Sequence, residues 1–260
     1  MGRVVTWGQD SLERAVRAAG IDARPVWFDE VGSTNDEARR LALEGAPAWT
    51  VVATGHQTAG RGRLGRSWAD VPGRSLLCSV ILRPRLEPAE LGLVSLAAAV
   101  AMIDAAGLPG LGAKWPNDLV IRDRKCGGIL AEAEVQGWTV GNVVVGAGVN
   151  VSAGSQRLPA EIEAAATSLR AEGASIDLGG LLSGFLTSLR SRVESSGFPR
   201  AVVDAYRPRC RTLGRIVRAV RASGNAVEGR AVDVDDLGNL LVERDGRVVR
   251  VAFGEVTHLE

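Results

Sequence analysis

Between residues 113 and 151 the chain reads strand, turn, strand, turn, strand, and this run constrains the fold more than any other. AKWPNDLVI, KCGGILAEAEV and WTVGNVVVGAGVNV are separated only by RDR and QG. β-prone runs joined by short polar turns predict an antiparallel meander. Pro116 cannot donate to a ladder, so it fits a strand end or a bulge and pins the orientation of nearby Lys114. Gly127 and Gly128 interrupt one strand, and Gly146 and Gly148 interrupt the next. A glycine inside a strand marks a bulge or a gap where a ligand approaches closely. Both readings stand at this level. An apolar sheet face with such gaps suits a mostly apolar ligand.

The flanking segments supply helices. Residues 9–19 read as a helix that Gly20 stops. Residues 33–44 read as a second, with Thr34 and Glu37 at capping-box spacing and Gly45 as terminator. Strands are expected at 50–54 and 75–83, and an apolar helix at 88–106 that Gly107 ends. Further helices are expected at 160–171 and about 177–196. Hairpins dominate the middle, so the expected class is α+β, with a mixed and largely antiparallel sheet rather than a doubly wound one. From residue 211 the pattern changes to short alternating strands, with turns at Asp236-Leu-Gly-Asn and Arg244-Asp-Gly. This predicts a larger domain over 1–210 and a small β-barrel over 211–260.

With 46% hydrophobic and 23% charged residues, the 260-residue chain has ordinary globular composition. A net charge of +1 excludes a globally basic nucleic-acid binder. The N-terminus lacks a signal-peptide pattern, and no stretch is read as a membrane span, so a cytoplasmic location without membrane attachment is expected. Cys78, Cys126 and Cys210 sit in apolar or strand-like contexts without metal-ligand spacing. They read as buried thiols in a reducing compartment. Only His56 and His258 are present, so no histidine-rich metal site is available.

Of the 31 basic residues only Lys114 and Lys125 are lysine. In a chain that otherwise uses arginine, a lysine marks a place where a compact ammonium on a thin stem is wanted. The loop GHQTAGRGRLGRSW (55–68) alternates Arg61, Arg63 and Arg66 with glycines. Its Gly60, Gly62 and Gly65 match G-x-G-x-x-G only formally, because neither a strand directly before nor a helix directly after is present. Glycine lets the backbone fold tightly, and arginine grips carboxylate and phosphate with a planar fork. Two unit charges 4 Å apart interact by about 4 kcal/mol at an effective dielectric near 20. Bringing a carboxylate to a polyphosphate therefore needs several fixed cations. A solvated basic loop is the other reading of the same composition. The loop is expected to order only around a ligand.

Taken together, Ser33-Thr-Asn, Gln57 with Gly60-Arg-Gly-Arg-Leu-Gly-Arg66, Lys114-Trp-Pro-Asn-Asp-Leu, Lys125-Cys-Gly-Gly-Ile-Leu and Gly146-Ala-Gly-Val-Asn150 resemble the biotin–protein ligases, over about residues 25–260. The resemblance implies a sheet-and-helix catalytic domain related to class II aminoacyl-tRNA synthetases, followed by a Src-homology-3-like barrel. It implies a biotin–[acetyl-CoA-carboxylase] ligase that takes biotin and ATP, with Mg2+ on the nucleotide. Biotinyl-5′-AMP forms, pyrophosphate leaves, and a lysine of the biotin carboxyl carrier protein attacks the anhydride. By the same resemblance Ser33, Thr34, Asn35, Gln57, Arg61, Gly62, Arg63, Lys114, Gly128 and Gly148 hold biotin. Arg61, Arg63, Arg66, Trp68, Lys125 and Asn150 hold ATP. Lys114 and Arg63 act at the reacting centre, and Asp118 orients lysines or shapes a turn. No protein ligand to a metal is implied.

Some members carry an N-terminal helix-turn-helix. The segment before Trp27 is too short for one, so no DNA binding is expected, and the chain is expected to be a monomer or weak homodimer. Other readings are a lipoate or octanoate ligase or transferase of the same fold, an RNA-binding protein using the arginine loop, and a non-catalytic biotin-sensing module. RNA binding would want aromatic platforms, and only Trp68 is near.

Overall fold

Long runs of alternating apolar residues in this chain resolve into one large sheet with helices on both faces. The computed structural model describes residues 7–136, 139–152, 164–198, 200–221, 224–252 and 254–259. Seven strands run in chain order: β1 (Val26–Phe28), β2 (Val51–Thr54), β3 (Ser75–Leu82), β4 (Gly112–Lys114), β5 (Asp118–Ile121), β6 (Arg124–Gln136) and β7 (Thr139–Asn150). Their spatial order is β1-β2-β3-β7-β6-β5-β4. Only β1 and β2 pair in parallel; the other pairs are antiparallel. The meander expected over 113–151 is the β4–β7 half of this sheet.

Alternation sorts the two faces. On β3 and β7, Leu76, Cys78, Val80, Leu82, Val143, Val145, Ala147 and Val149 face the main core. Helices α1 (Gln9–Ala18), α3 (Leu91–Ala106), α4 (Leu178–Val193) and α5 (Arg200–Tyr206) pack there. On the other face Ile81 and Val144 meet Ala38 and Ala42 of α2 (Thr34–Leu43). Beyond Val144, β7 continues on this second face with Gly146, Gly148 and Asn150. The two glycines leave room there for side chains from α2 and from the loop after β2.

Two local expectations are corrected. The helix expected over 160–171 is not formed in its described part, 164–171. There Lys125 donates its N–H to Ala165 O, and Thr167 donates to Lys125 O, so the segment pairs beside β6. Sheet pairing outweighs the helix propensity of its alanines. The capping box of Thr34 and Glu37 is also absent. Ser33 is the N-cap without a side-chain bond, and Gln57 Oε1 accepts the Thr34 N–H at 2.8 Å instead. The apolar helix expected over 88–106 is formed; Pro88–Ala106 is 19 residues long and apolar enough by composition to cross a membrane. Here it is the central core helix, with Leu93 to Met102 almost wholly buried.

The C-terminal strands β8 (Ile216–Arg221), β9 (Ala226–Val234), β10 (Leu240–Arg244), β11 (Arg247–Val251) and β12 (Gly254–His258) form an antiparallel sheet in the order β11-β10-β9-β8-β12. No ladder joins β11 to β12 among the described residues. This sheet is not a separate bead: Val217, Ala231, Val242 and Val256 belong to the same continuous core as α3.

Candidate active site

A cavity of about 250 Å³ lies where the second sheet face, the arginine loop and β12 meet. Its floor is Gly128, Leu130, Gly146 and Gly148, its near wall Ser33, Thr34, Asn35 and Gln57, and its cations Arg61, Arg63, Arg66, Lys114 and Lys125. Every expected site residue except Asn150 lines it.

The glycines have different jobs. A Cβ on Gly146 would stand 2.2 Å from Asn35 Oδ1, so Gly146 makes room for that amide. A Cβ on Gly148 would stand 2.7 Å from the Trp68 ring, so Gly148 seats the indole that closes the loop. Ser79 Oγ donates to Asn35 Oδ1 at 2.6 Å, and Asn35 Nδ2 donates to Glu132 at 2.7 Å. Asn35 is therefore already committed to the protein: it lines the cavity but braces its wall. Asn150 is 4% exposed and outside the cavity lining. Its amide accepts from Ser75 and donates to Thr167 O. It shares the face of Gly146 and Gly148 but sits at the strand end, where it ties down the segment beside Lys125.

Lys125 reaches the cavity because of a bulge. Leu119 pairs with Gly127 and Val120 with Lys125, which leaves Cys126 as the extra residue. Strict alternation would put Lys125 on the face of Gly127, toward α3. The bulge re-aims it, and its ammonium stands beside Gly128 and 5.8 Å from the centre of the Trp68 ring. Lys125 Nζ pairs with Asp118 Oδ1 at 2.6 Å. Lys114, at the end of β4, is in register with the same Asp118. Burial lowers the Lys114 pKa most, Asp118 pulls it back up, and Lys125 lowers it again. Burial lowers that of Arg63 as well.

The arginine loop is a defined element. Gly62 N–H bonds Arg66 O, Trp68 N–H bonds Gly60 O, and Leu64 and Gly65 turn with positive φ. At its stem His56 Nδ1 lies 3.0 Å from buried Asp70, which also accepts the Gln57 N–H. Arg61 pairs with Asp36 and Glu132. Arg63 donates to Gly254 O at 3.2 Å, and Arg66 pairs with Glu255, so β12 forms a wall of the site. The sequence reading missed Glu255 and His56–Asp70, because nothing local marks contacts so far apart in the chain. The Trp68 indole N–H is buried without a partner among the described residues. A buried donor left unpaired is costly.

Residues 27–150 match the model of the biotin/lipoate A/B protein ligase family, and residues 212–259 match the biotin protein ligase C-terminal domain. The chain is 37% identical to a biotin–[acetyl-CoA-carboxylase] ligase of Mycobacterium tuberculosis, over 95% of both chains. The chain belongs to the biotin protein ligase family. It is 33% identical to the bifunctional ligase/repressor BirA of Bacillus spizizenii, over 89% of this chain and 73% of the longer relative. Its fold matches a biotin protein ligase of Aquifex aeolicus in complex with biotin and ATP, with a TM-score of 0.70 and 26% identity over 90% of this chain and 97% of that one. The expected fold class and enzyme class both hold for this family member. Among the described residues no group of three or more His, Cys, Asp or Glu side chains could hold a metal.

Proposed function

We propose that this enzyme activates biotin with ATP to biotinyl-5′-AMP and passes the biotinyl group to a lysine of a biotin carboxyl carrier protein. The observation that supports this reading best is the cavity itself. The glycines of β7 give the Asn35 amide and the Trp68 indole their places, and the cavity walled in this way adjoins five cationic side chains, so one space suits both a carboxylic acid and a nucleotide phosphate. Ser33 and Thr34 line the cavity wall beside Gln57, where a ring's polar groups would bond. Arg61, Gly62 and Arg63 form the lid.

Lys114 and Lys125 flank Asp118 and share the reacting centre. Their charges would lower the repulsion between a carboxylate and an α-phosphate and stabilise the charge that develops as the new P–O bond forms. Lys125 stands beside Gly128 and Trp68, and both lysines line the same cavity. Arg66 and Trp68 line the nucleotide side. Mg2+ would enter with ATP; the nearest carboxylates, Asp118 and Glu255, are already paired with Lys125 and Arg66.

The matched C-terminal domain favours biotin over lipoate. Incubating the protein with MgATP, biotin and a biotin carboxyl carrier domain should add one biotinyl mass to the carrier. Pyrophosphate–ATP exchange should require biotin. Exchange that requires lipoate instead would overturn the reading.

A further inference from the structure

The strand that carries Lys114 lies at the edge of the large sheet, where a side chain is poorly held unless something covers it. Here the cover is the connection into the C-terminal sheet. Arg211 N–H bonds Ala113 O at 2.8 Å, and Trp115 N–H bonds Thr212 Oγ1 at 3.0 Å, so Lys114 is bracketed on both sides. The Trp115 indole N–H bonds Gly238 O at 2.9 Å, which closes the bracket from β9–β10.

Thr212 is 0% exposed, and its hydroxyl has a second contact, His258 Nε2 at 3.1 Å. His258 ends β12 and packs with a side chain 12% exposed. Its other nitrogen, Nδ1, faces Asp123 Oδ1 at 4.0 Å. Asp123 is the turn residue two positions before Lys125, and Arg215 holds it at 2.8 Å. One imidazole thus stands between the strand of Lys114 and the hairpin tip of Lys125.

We infer that His258 is a positioning residue for adenylate formation, acting through Thr212 on Lys114 and through Asp123 on the Lys125 hairpin. This rests on the ligase reading above. The hydrogen-bond directions are consistent with one neutral tautomer. Trp115 N–H donates to Thr212 and the Thr212 O–H donates to Nε2, which leaves the ring proton on Nδ1, 4.0 Å from Asp123 Oδ1. Burial, Lys114 and Arg215 all oppose a charged ring, and they hold the His258 pKa down to about 4. A proton on Nε2 would displace the Thr212 hydrogen from its acceptor and add a like charge near Lys114.

The test measures biotin-dependent pyrophosphate–ATP exchange per titrated active site in the wild type, His258→Ala, Thr212→Val and the double variant. A misplacement of about 1 Å can cost ~100-fold in rate, and a partial loosening is expected to cost about 10-fold in kcat. KM for biotin should hardly move. The double variant should lose no more than one single variant, because both break one chain of contacts. His258→Gln, which keeps an acceptor for Thr212, should recover most of the rate. Wild-type kcat in His258→Ala, or losses that multiply in the double variant, would overturn the inference. Nitrogen-15 resonances at pH 7 should show Nδ1 protonated and Nε2 bare, and a protonated Nε2 would also overturn it. A wild type without any exchange would sink the ligase reading itself, whatever the tautomer.

Discussion

Asp118 Oδ1 lies 2.6 Å from Lys125 Nζ, and the same residue is in register with Lys114 across β4 and β5. One carboxylate therefore serves two ammonium groups that would otherwise repel each other in a partly buried space. Asp118→Asn should leave the protein folded, because a partly exposed ion pair contributes only about 0–1 kcal/mol. It should slow adenylate formation by about 10-fold or more, since lysine placement carries electrostatic catalysis. The pH profile should move as well. Asp118 raises the Lys114 pKa against burial and Lys125. Removing it lowers that pKa further, so the alkaline limb of the exchange rate should begin at lower pH. A profile unchanged in both height and position would show that Asp118 only shapes the turn.

The β4–β7 meander, the apolar helix and the late strands were legible because each is written in local period and turn chemistry. The candidate site was legible as a set of residue types, but not as a set of roles. Asn35 and Asn150 are expected as ligand contacts through the family resemblance. The structure commits both amides to the protein, through Ser79, Glu132, Ser75 and Thr167. Such commitments join residues far apart in sequence, and no local signal carries them. The aim of Lys125 depends on a one-residue bulge at Cys126, which the Gly127-Gly128 pair permits but does not specify. The 164–171 segment reads as helix until Lys125 offers it a backbone partner.

Two glycines on β7 should respond differently to a methyl group. Gly146→Ala would drive a Cβ into the Asn35 amide, which is buried and bonded on both sides. Overpacking costs about 1–3 kcal/mol, and an amide pushed off its partners adds a similar penalty. The expected result is a clear loss of stability in thermal or urea unfolding. Gly148→Ala meets the Trp68 indole instead, which is carried by a surface loop and not by a helix packed on the sheet. It should lose little stability and should raise KM for the acid and the nucleotide. Equal destabilisation by both variants would show that the Trp68 indole is held as firmly as the Asn35 amide.

The three thiols should be silent in the folded protein. Cys78 and Cys126 are buried, and burial pushes both pKa values to about 12; that of Cys210 is raised as well. The thiolate is the reactive form, so almost none is present at neutral pH. Iodoacetamide at pH 7.5 should leave the native protein unmodified by mass spectrometry and add three groups after denaturation. Rapid labelling of Cys126 in the native state would mean that the bulge beside Lys125 opens.

Acid stability should carry the mark of His258. Its folded pKa is held to about 4, below the ordinary 6.5, by burial first and then by Lys114 and Arg215. The unfolded chain therefore takes up a proton near pH 6.5 that the folded chain refuses until about pH 4. Between those values the unfolded state binds more protons, and stability falls as the pH falls. Below pH 4 both states are charged and this contribution stops changing. A shift of this size corresponds to at most about 3 kcal/mol at 1.36 kcal/mol per unit. His258→Gln cannot titrate, so its unfolding free energy should decline less steeply from pH 6.5 to pH 4 than that of the wild type. Urea titrations at half-unit pH intervals would show the difference as a gap that changes only inside that window. Parallel curves across the window would mean that the imidazole takes up its proton in the folded state, and the neutral contact with Thr212 would then be wrong.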